Sequence, residues 1–272
     1  MKNIVLWFLA LFITLFASLY QRITGPTHPY RAKAELDDIK ISYKLAKTHE
    51  SSKDYKIRID APNPDIEGYV IYKRHNTDEL WSKLHMSRKE NMLVAALPRQ
   101  PCAGKLDYKV FLIHRGKEIS LSGKNPVIIR FKGRVPLTIL TPHIIIIFTA
   151  LLFSTRAGLE ALKNDADTRK LTILSTIFLF IGGIVLGSIV QKFAFGSIWT
   201  GIPFGTDLTD NKTLIALTAW IAALIARRRR HGRFWVLGAS IITLLAFSIP
   251  HSLLGSELDY SKIKILAFPQ KA

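Results

Sequence analysis

The chain has 272 residues, 49% of them hydrophobic, with 38 Lys and Arg against 20 Asp and Glu and a formal net charge of +18. In a soluble protein that excess would point to nucleic acid, but here the apolar residues are gathered into long uncharged runs, so anionic lipid headgroups or an acidic protein partner are the natural counterparts. A single cysteine, Cys102, excludes an intrachain disulfide and any multi-cysteine metal or iron–sulfur site within the chain.

Five runs carry no Asp, Glu, Lys or Arg: 4–20, 137–154, 171–190, 213–226 and 234–249. A hydrocarbon core about 30 Å thick needs roughly 20 helical residues, fewer where charged flanks snorkel. The third run is long enough outright. The fourth becomes so if its helix starts near Thr209 or Asp210 and ends among Arg227 to Arg230. The pattern predicts an α-helical membrane protein with five transmembrane helices and an inserted all-β sandwich domain outside the membrane.

The first segment, residues 1–22, reads as a transmembrane anchor with the features of a possible signal peptide. The nearest cleavage-like site, FAS before Leu19, is followed by bulky Tyr20 and Gln21, which favours retention. GPTHPYR, Gly25 to Arg31, then reads as a stiff linker.

Residues 23–135 form the predicted extracytoplasmic domain, with 23 basic against 13 acidic residues between Gln21 and Val135. Short alternating runs predict about eight strands: IKISYKL, YKIRI, EGYVIYKR, LWSKLHM, NMLVAAL, LDYKVFLIH, KEISL and PVIIRFK, separated by turn-rich pieces such as APNPDIEG. GYVIYKR, Gly68 to Arg74, and LPRQPCAGKLDYKVFL, with Leu97, Pro98 and Tyr108, resemble the fibronectin type III or a related immunoglobulin-like module. That resemblance covers about two fifths of the chain. It implies a binding or spacing module without chemistry of its own, and a corner hydrogen bond from Tyr108. His28, His49, His75, His85 and His114 lack metal-ligand spacing, although His75 and His85 could meet across a hairpin; Trp81 is expected in the core.

Residues 136–251 form a predicted four-helix membrane domain with an outer loop at 191–212, followed by an extracytoplasmic tail, 252–272. STRAGLEALKNDADTRK holds Arg156, Lys163, Arg169 and Lys170, and RRRRHGR holds five arginines. Both basic loops belong in the cytoplasm, which places the N-terminus inside and the β domain, the 191–212 loop and the tail outside an inner (cytoplasmic) membrane. Gly183 and Gly187 in the third run, four apart, fit close helix packing.

Three features then share the outer face. His143 follows Pro142 at the start of the second run, and His251 follows Pro250 at the end of the fifth. These imidazoles either bond backbone carbonyls and headgroups, or serve as haem b ligands, or hold a metal ion together with Asp207 and Asp210. The loop SIWTGIPFGTDLTDNK supplies Trp199 and Phe204 for a headgroup-level interface, Thr209 or Asp210 as a helix N-cap, and Asp207 as a ligand, a proton acceptor or an ion-pair partner of Lys212, itself an interface candidate.

The sequence contains no phosphate-cradling glycine loop, no HExxH and no GxSxG. Its expected role is therefore that of an accessory or scaffold protein rather than an enzyme. Its partners are membrane lipids and other membrane or periplasmic proteins, and not nucleic acid. The competing reading is a small redox or metal-handling membrane protein.

Overall fold

A computed structural model describes residues 2–37, 39–226, 228–229, 231–250, 255 and 257–262. These fall into two compact units, one drawn from 1–28 and 135–256, the other from 29–134 and the segment after 256. The chain is thus a membrane-type helical region joined to a β-sheet region.

The helical unit contains α1 (Lys2–Thr24), α2 (Leu137–Ala161), α3 (Arg169–Phe195), α4 (Leu208–Ala226) and α5 (Gly232–Ser248). Helices α1 to α4 are long and apolar enough to cross a membrane, and α5 is a shorter apolar helix. Their packing is inverted relative to a water-soluble bundle. Large apolar side chains such as Phe8, Phe12, Ile145, Ile225 and Leu245 face outward, while Ser154, Thr155, Thr172, Ser175, Ser240 and Thr243 are buried. Small and hydroxylated residues let helix backbones approach where lipid, as apolar as leucine, supplies no hydrophobic drive. The indole N–H of the buried Trp220 donates to Thr243 Oγ1 at 2.8 Å, and the Thr243 hydroxyl donates to the Ala239 carbonyl at 2.7 Å.

Helix α3 is α-helical to Leu179, π-helical over Phe180–Leu186 and α-helical again from Gly187. The widening changes which glycines meet neighbours. A Cβ at Gly182 would lie 3.0 Å from Ile146 Cγ2, and one at Gly183 would lie 2.6 Å from Thr213 Cγ2. At Gly187 the nearest atoms are 3.5 Å or more away, so the close approaches are made by the adjacent pair, Gly182 toward α2 and Gly183 toward α4, and not by the spacing-of-four pair that the sequence predicts.

Helix α2 runs seven residues beyond the apolar run that ends at Ser154, which takes Arg156 out of the loop to which sequence assigns it. Arg156 is buried, donates to Glu160 Oε2 at 2.7 Å and to Asn3 Oδ1, and lies 5.4 Å from the Trp7 ring. It ties α1 to α2 at the end where both carry polar residues.

The β unit holds eleven strands among the described residues: β1 (Tyr30–Leu36), β2 (Ile39–Leu45), β3 (Thr48–Glu50), β4 (Tyr55–Asp60), β5 (Glu67–Arg74), β6 (Ser82–His85), β7 (Ser87–Lys89), β8 (Met92–Leu97), β9 (Lys105–His114), β10 (Lys117–Ser120) and β11 (Val127–Lys132). β1 and β2 form a hairpin, β4-β8-β7 a three-stranded sheet, and β3-β11-β9-β5-β6 a larger sheet on which β10 also pairs with β9. All pairs are antiparallel except β3 with β11. The stretch LWSKLHM holds one strand, β6, and a further strand that the sequence does not predict, β7, follows it. The chain leaves the larger sheet after β6, passes Met86 and joins the smaller sheet as β7. One core draws Leu36 and Ile41 from the hairpin, Ile57 and Leu97 from the smaller sheet, and Val70, Tyr108 and Phe131 from the larger.

Trp81 precedes β6 and is 39% exposed, with Lys73 Nζ 5.7 Å from its ring, so it is not the core residue expected. Tyr108 is fully buried, which pushes its phenol up. Its hydroxyl donates to the Ala46 carbonyl at 2.9 Å, between β2 and β3, in place of the corner bond that the resemblance implies. His75 and His85 do not meet: His75 Nδ1 lies 2.7 Å from Asp107 Oδ1, and the cross-strand neighbour of His85 is Tyr69. His114 is buried between Asp37 and Asn63, and its hydrogen bond holds the Asp37 carboxyl below the ordinary carboxylate range.

Candidate functional site

The connection between α3 and α4 is a folded object built around one carboxylate. Asp210 lies in the first turn of α4 but turns back onto the loop. Its Oδ2 accepts from the Thr200 N–H at 2.6 Å, the Gly201 N–H at 3.0 Å, Gln191 Nε2 at 3.0 Å and the Thr200 hydroxyl at 3.3 Å. Asn211 continues the pattern, its Oδ1 accepting from the Ile202 N–H at 2.7 Å. Gly201 is required by this closeness, since a Cβ there would lie 2.6 Å from both Asp210 Cβ and Asn211 Oδ1. A buried carboxylate is tolerable when several donors satisfy it, and here two are backbone amides that would otherwise be costly to bury.

Asp207, not Thr209 or Asp210, is the N-cap of α4. Its carbonyl accepts from the Asn211 N–H at 3.0 Å, and its Oδ1 accepts from the Thr209 N–H at 2.8 Å. This is the capping geometry in which a side-chain oxygen satisfies an otherwise unpartnered first-turn N–H. Its Oδ2 also receives the Thr200 hydroxyl at 3.2 Å. The two aspartates proposed as metal ligands thus have their oxygens directed at helix and loop donors. Among the described residues, no group of three or more His, Cys, Asp or Glu is placed to hold a metal ion.

His143 lies on α2 facing α3, and its Nδ1–H donates to the Gly182 carbonyl at 3.0 Å. His251, its expected counterpart, lies outside the described residues. Lys212, expected at an interface, is 5% exposed and donates to the Ile249 carbonyl at 2.6 Å, where Gln21 Nε2 also donates at 3.2 Å. This carbonyl follows the last turn of α5, so cationic and amide donors from α4 and α1 satisfy a helix-terminal acceptor.

The fixed loop presents apolar side chains outward. Phe204 is 81% exposed, and Ile198 and Ile202 are exposed beside it. Trp199 is partly covered and donates its N–H to the Ile202 carbonyl at 3.1 Å. The Ile202–Pro203 peptide is cis. Of the three expected interface residues, Phe204 is open, Trp199 is half-covered and Lys212 is internal.

A second outward surface lies on the β unit and was missed from sequence. Tyr69 of β5 and Phe111 of β9 are cross-strand partners, stacked with ring centroids 4.9 Å apart and an interplanar angle of 11°. Lys83 of the edge strand β6 places its Nζ 3.8 Å from the Tyr69 ring centroid, and Leu80, just before that strand, is 90% exposed. Lys83 and Tyr69 thus form a cation–π contact at the sheet edge, and Glu118 bonds the same phenol. The signal available in sequence was the alternation of Tyr69, Ile71 and Lys73 opposite the buried Val70, but it did not reveal which second strand would stand beside it.

No family model, curated protein or solved structure matches this chain.

Proposed function

We propose that the chain is a multi-pass accessory or scaffold protein of the inner membrane, whose β domain docks an acidic protein partner while its helices join a larger membrane assembly. The observation that carries this reading is the aromatic and lysine face of β5, β6 and β9, centred on Tyr69, Phe111 and Lys83. Partly exposed rings, with Lys83 over the Tyr69 ring, supply contact area and a charge together. The division of strands into β4-β8-β7 and β3-β11-β9-β5-β6 around one core supports an immunoglobulin-like sandwich, of the kind that the sequence resembles.

Chain parity supports five crossings. Leu258 donates its N–H to the Ala103 carbonyl and Tyr260 bonds Lys105, so the segment after α5 lies on the same side of a bilayer as the strands. An even number of crossings must separate Arg134 from Glu257. Helices α2, α3 and α4 each suffice in length, so α5, although 17 residues long, makes the fourth. With α1 ahead of the strands, the connection between α4 and α5, with Arg228 and Arg229, faces inward, in keeping with the positive-inside rule.

The test is site-specific photo-crosslinking from Phe111 in native membranes, with Lys83→Glu as the charge-reversed control. A discrete acidic neighbour lost on reversal is expected; an unchanged crosslinking pattern would remove the docking face. Cysteine labelling in a Cys102→Ser background checks the topology independently: labels at Arg229 and at Lys83 should react from opposite sides.

A further inference from the structure

The described residues 257–262, which follow α5, belong to the β unit. Leu258 hydrogen-bonds the backbone of Ala103, as above, and on either side of it two side chains enter prepared positions. Glu257 receives Lys105 Nζ on Oε2 at 2.9 Å and Asn76 Nδ2 on Oε1 at 2.9 Å, with His75 Nε2 3.8 Å away. The hydroxyl of Tyr260 accepts from the Lys105 N–H at 2.9 Å and donates to the Lys105 carbonyl at 2.9 Å, with Gln100 Oε1 at 3.2 Å as a further acceptor. The Arg74 guanidinium lies 5.2 Å from the phenol ring centroid.

The recess is shaped for a hydroxyl. A Cβ on Gly104 would come within 3.0 Å of the Tyr260 oxygen and 2.8 Å of Gln100 Cβ, so a glycine keeps it open. Phenylalanine in the same place would leave the Lys105 amide facing a ring edge, and sites built to bond a hydroxyl reject the analogue that lacks one. Burial pushes the Tyr260 phenol up to about 12, so the group remains a donor at neutral pH. The carboxylate contacts read a second feature three residues earlier.

We infer that this recess is a peptide-recognition site selective for a Glu-x-x-Tyr segment, and that the chain's own Glu257-Leu258-Asp259-Tyr260 is its resident ligand. A tethered ligand acts at an effective concentration in the millimolar range, so it fastens the tail and shuts out weak competitors. A partner bearing the same pair of groups gains the site only by displacing the tail. This inference does not depend on the docking face of β5, β6 and β9.

The test uses the full chain in detergent and a fluorescent hexapeptide, Glu-Leu-Asp-Tyr-Ser-Lys. A chain carrying Glu257→Ala and Tyr260→Ala has an empty recess and should bind the peptide saturably, at least about tenfold more tightly than the wild-type chain. A peptide with Phe for Tyr should lose about tenfold or more on the emptied chain. Trypsin should cut after Lys262 faster in Tyr260→Phe than in wild type. Peptide binding that is absent from the emptied chain, equal in both chains or indifferent to the hydroxyl overturns the inference, as does an unchanged cleavage rate.

Discussion

His143 donates its Nδ1–H to the carbonyl of Gly182, 3.0 Å away, within the π-helical turn of α3. That carbonyl also accepts the Gly187 N–H, the five-residue bond of the widened turn. A π turn loosens the normal backbone ladder, and a side-chain donor from a neighbouring helix compensates for it. Replacement of His143 by Ala is therefore expected to destabilise the helical unit by about 0.6–1.7 kcal/mol, the range for single interhelical hydrogen bonds in membranes. His143→Asn should recover part of the loss. Thermal unfolding in detergent measures both, and an unaltered midpoint for His143→Ala would deny the contact an energetic role.

Asp210 and Asp207 sit three residues apart with different duties, so their alanine variants should differ. Asp210→Ala leaves the Thr200 and Gly201 amides and the Gln191 side chain without their shared acceptor. Buried charge-assisted bonds are each worth about 1.5–3 kcal/mol, and a total loss of roughly 3 kcal/mol or more is expected. Asp207→Ala removes a cap, the acceptor of the Thr200 hydroxyl and a charge that acts on Lys212, and should cost about 1–2 kcal/mol. Protease access to the loop around Phe204 should rise sharply in the first variant and little in the second. Equal effects would contradict the assignment of anchor and cap.

The same two residues show where sequence stops being informative. Asp210 suits a helix start by type and position; that Asp207 caps instead depends on the return of the chain through Gly201, a contact no local pattern encodes. The long uncharged runs marked the helices because lipid exposure demands apolar side chains throughout, but for the same reason the one-residue register change of the π turn is invisible in an all-apolar stretch. Strands β4, β5 and β9 were legible since each alternates between core and outside. Tyr30–Leu36 was not, because small Ala32 and Ala34 mute the alternation and Leu36 alone is fully buried. Arg156 and Lys212 looked like loop and interface cations; their partners, Asn3 and Ile249, are remote in sequence. Glu257 and Tyr260 carry no periodic signal at all, and their recess is assembled more than 150 residues upstream.

Close packing of α3 against α4 gives a test with a built-in rescue. A methyl group at Gly183 would meet Thr213 Cγ2 at 2.6 Å, well inside contact distance. Overpacking of a fitted interior costs about 1–3 kcal/mol, so Gly183→Ala should lower the melting midpoint. Thr213→Ser removes the clashing methyl while keeping the hydroxyl that donates to the Thr209 carbonyl at 2.8 Å. The double variant should regain more than half of the loss, and simple additivity of the two changes would show that the helices are not apposed there.

Alkaline pH separates the tail contact from the remainder of the β unit. Burial raises the Tyr260 phenol from its ordinary 10 to about 12, so the docked tail holds its proton over an interval in which a released tail has lost it. Docked and released forms then differ in bound protons only between those two values. Stability of the contact is complete below pH 10 and falls as pH rises toward 12, by no more than about 2 kcal/mol since the ring is only partly buried. Ultraviolet difference titration of wild type against Tyr260→Phe isolates this group. The missing component should titrate near 12, and in the Glu257→Ala variant, where one anchor of the tail is gone, it should move back toward 10. A Tyr260 component that ionises near 10 in the intact chain would show that the phenol is not buried in the recess.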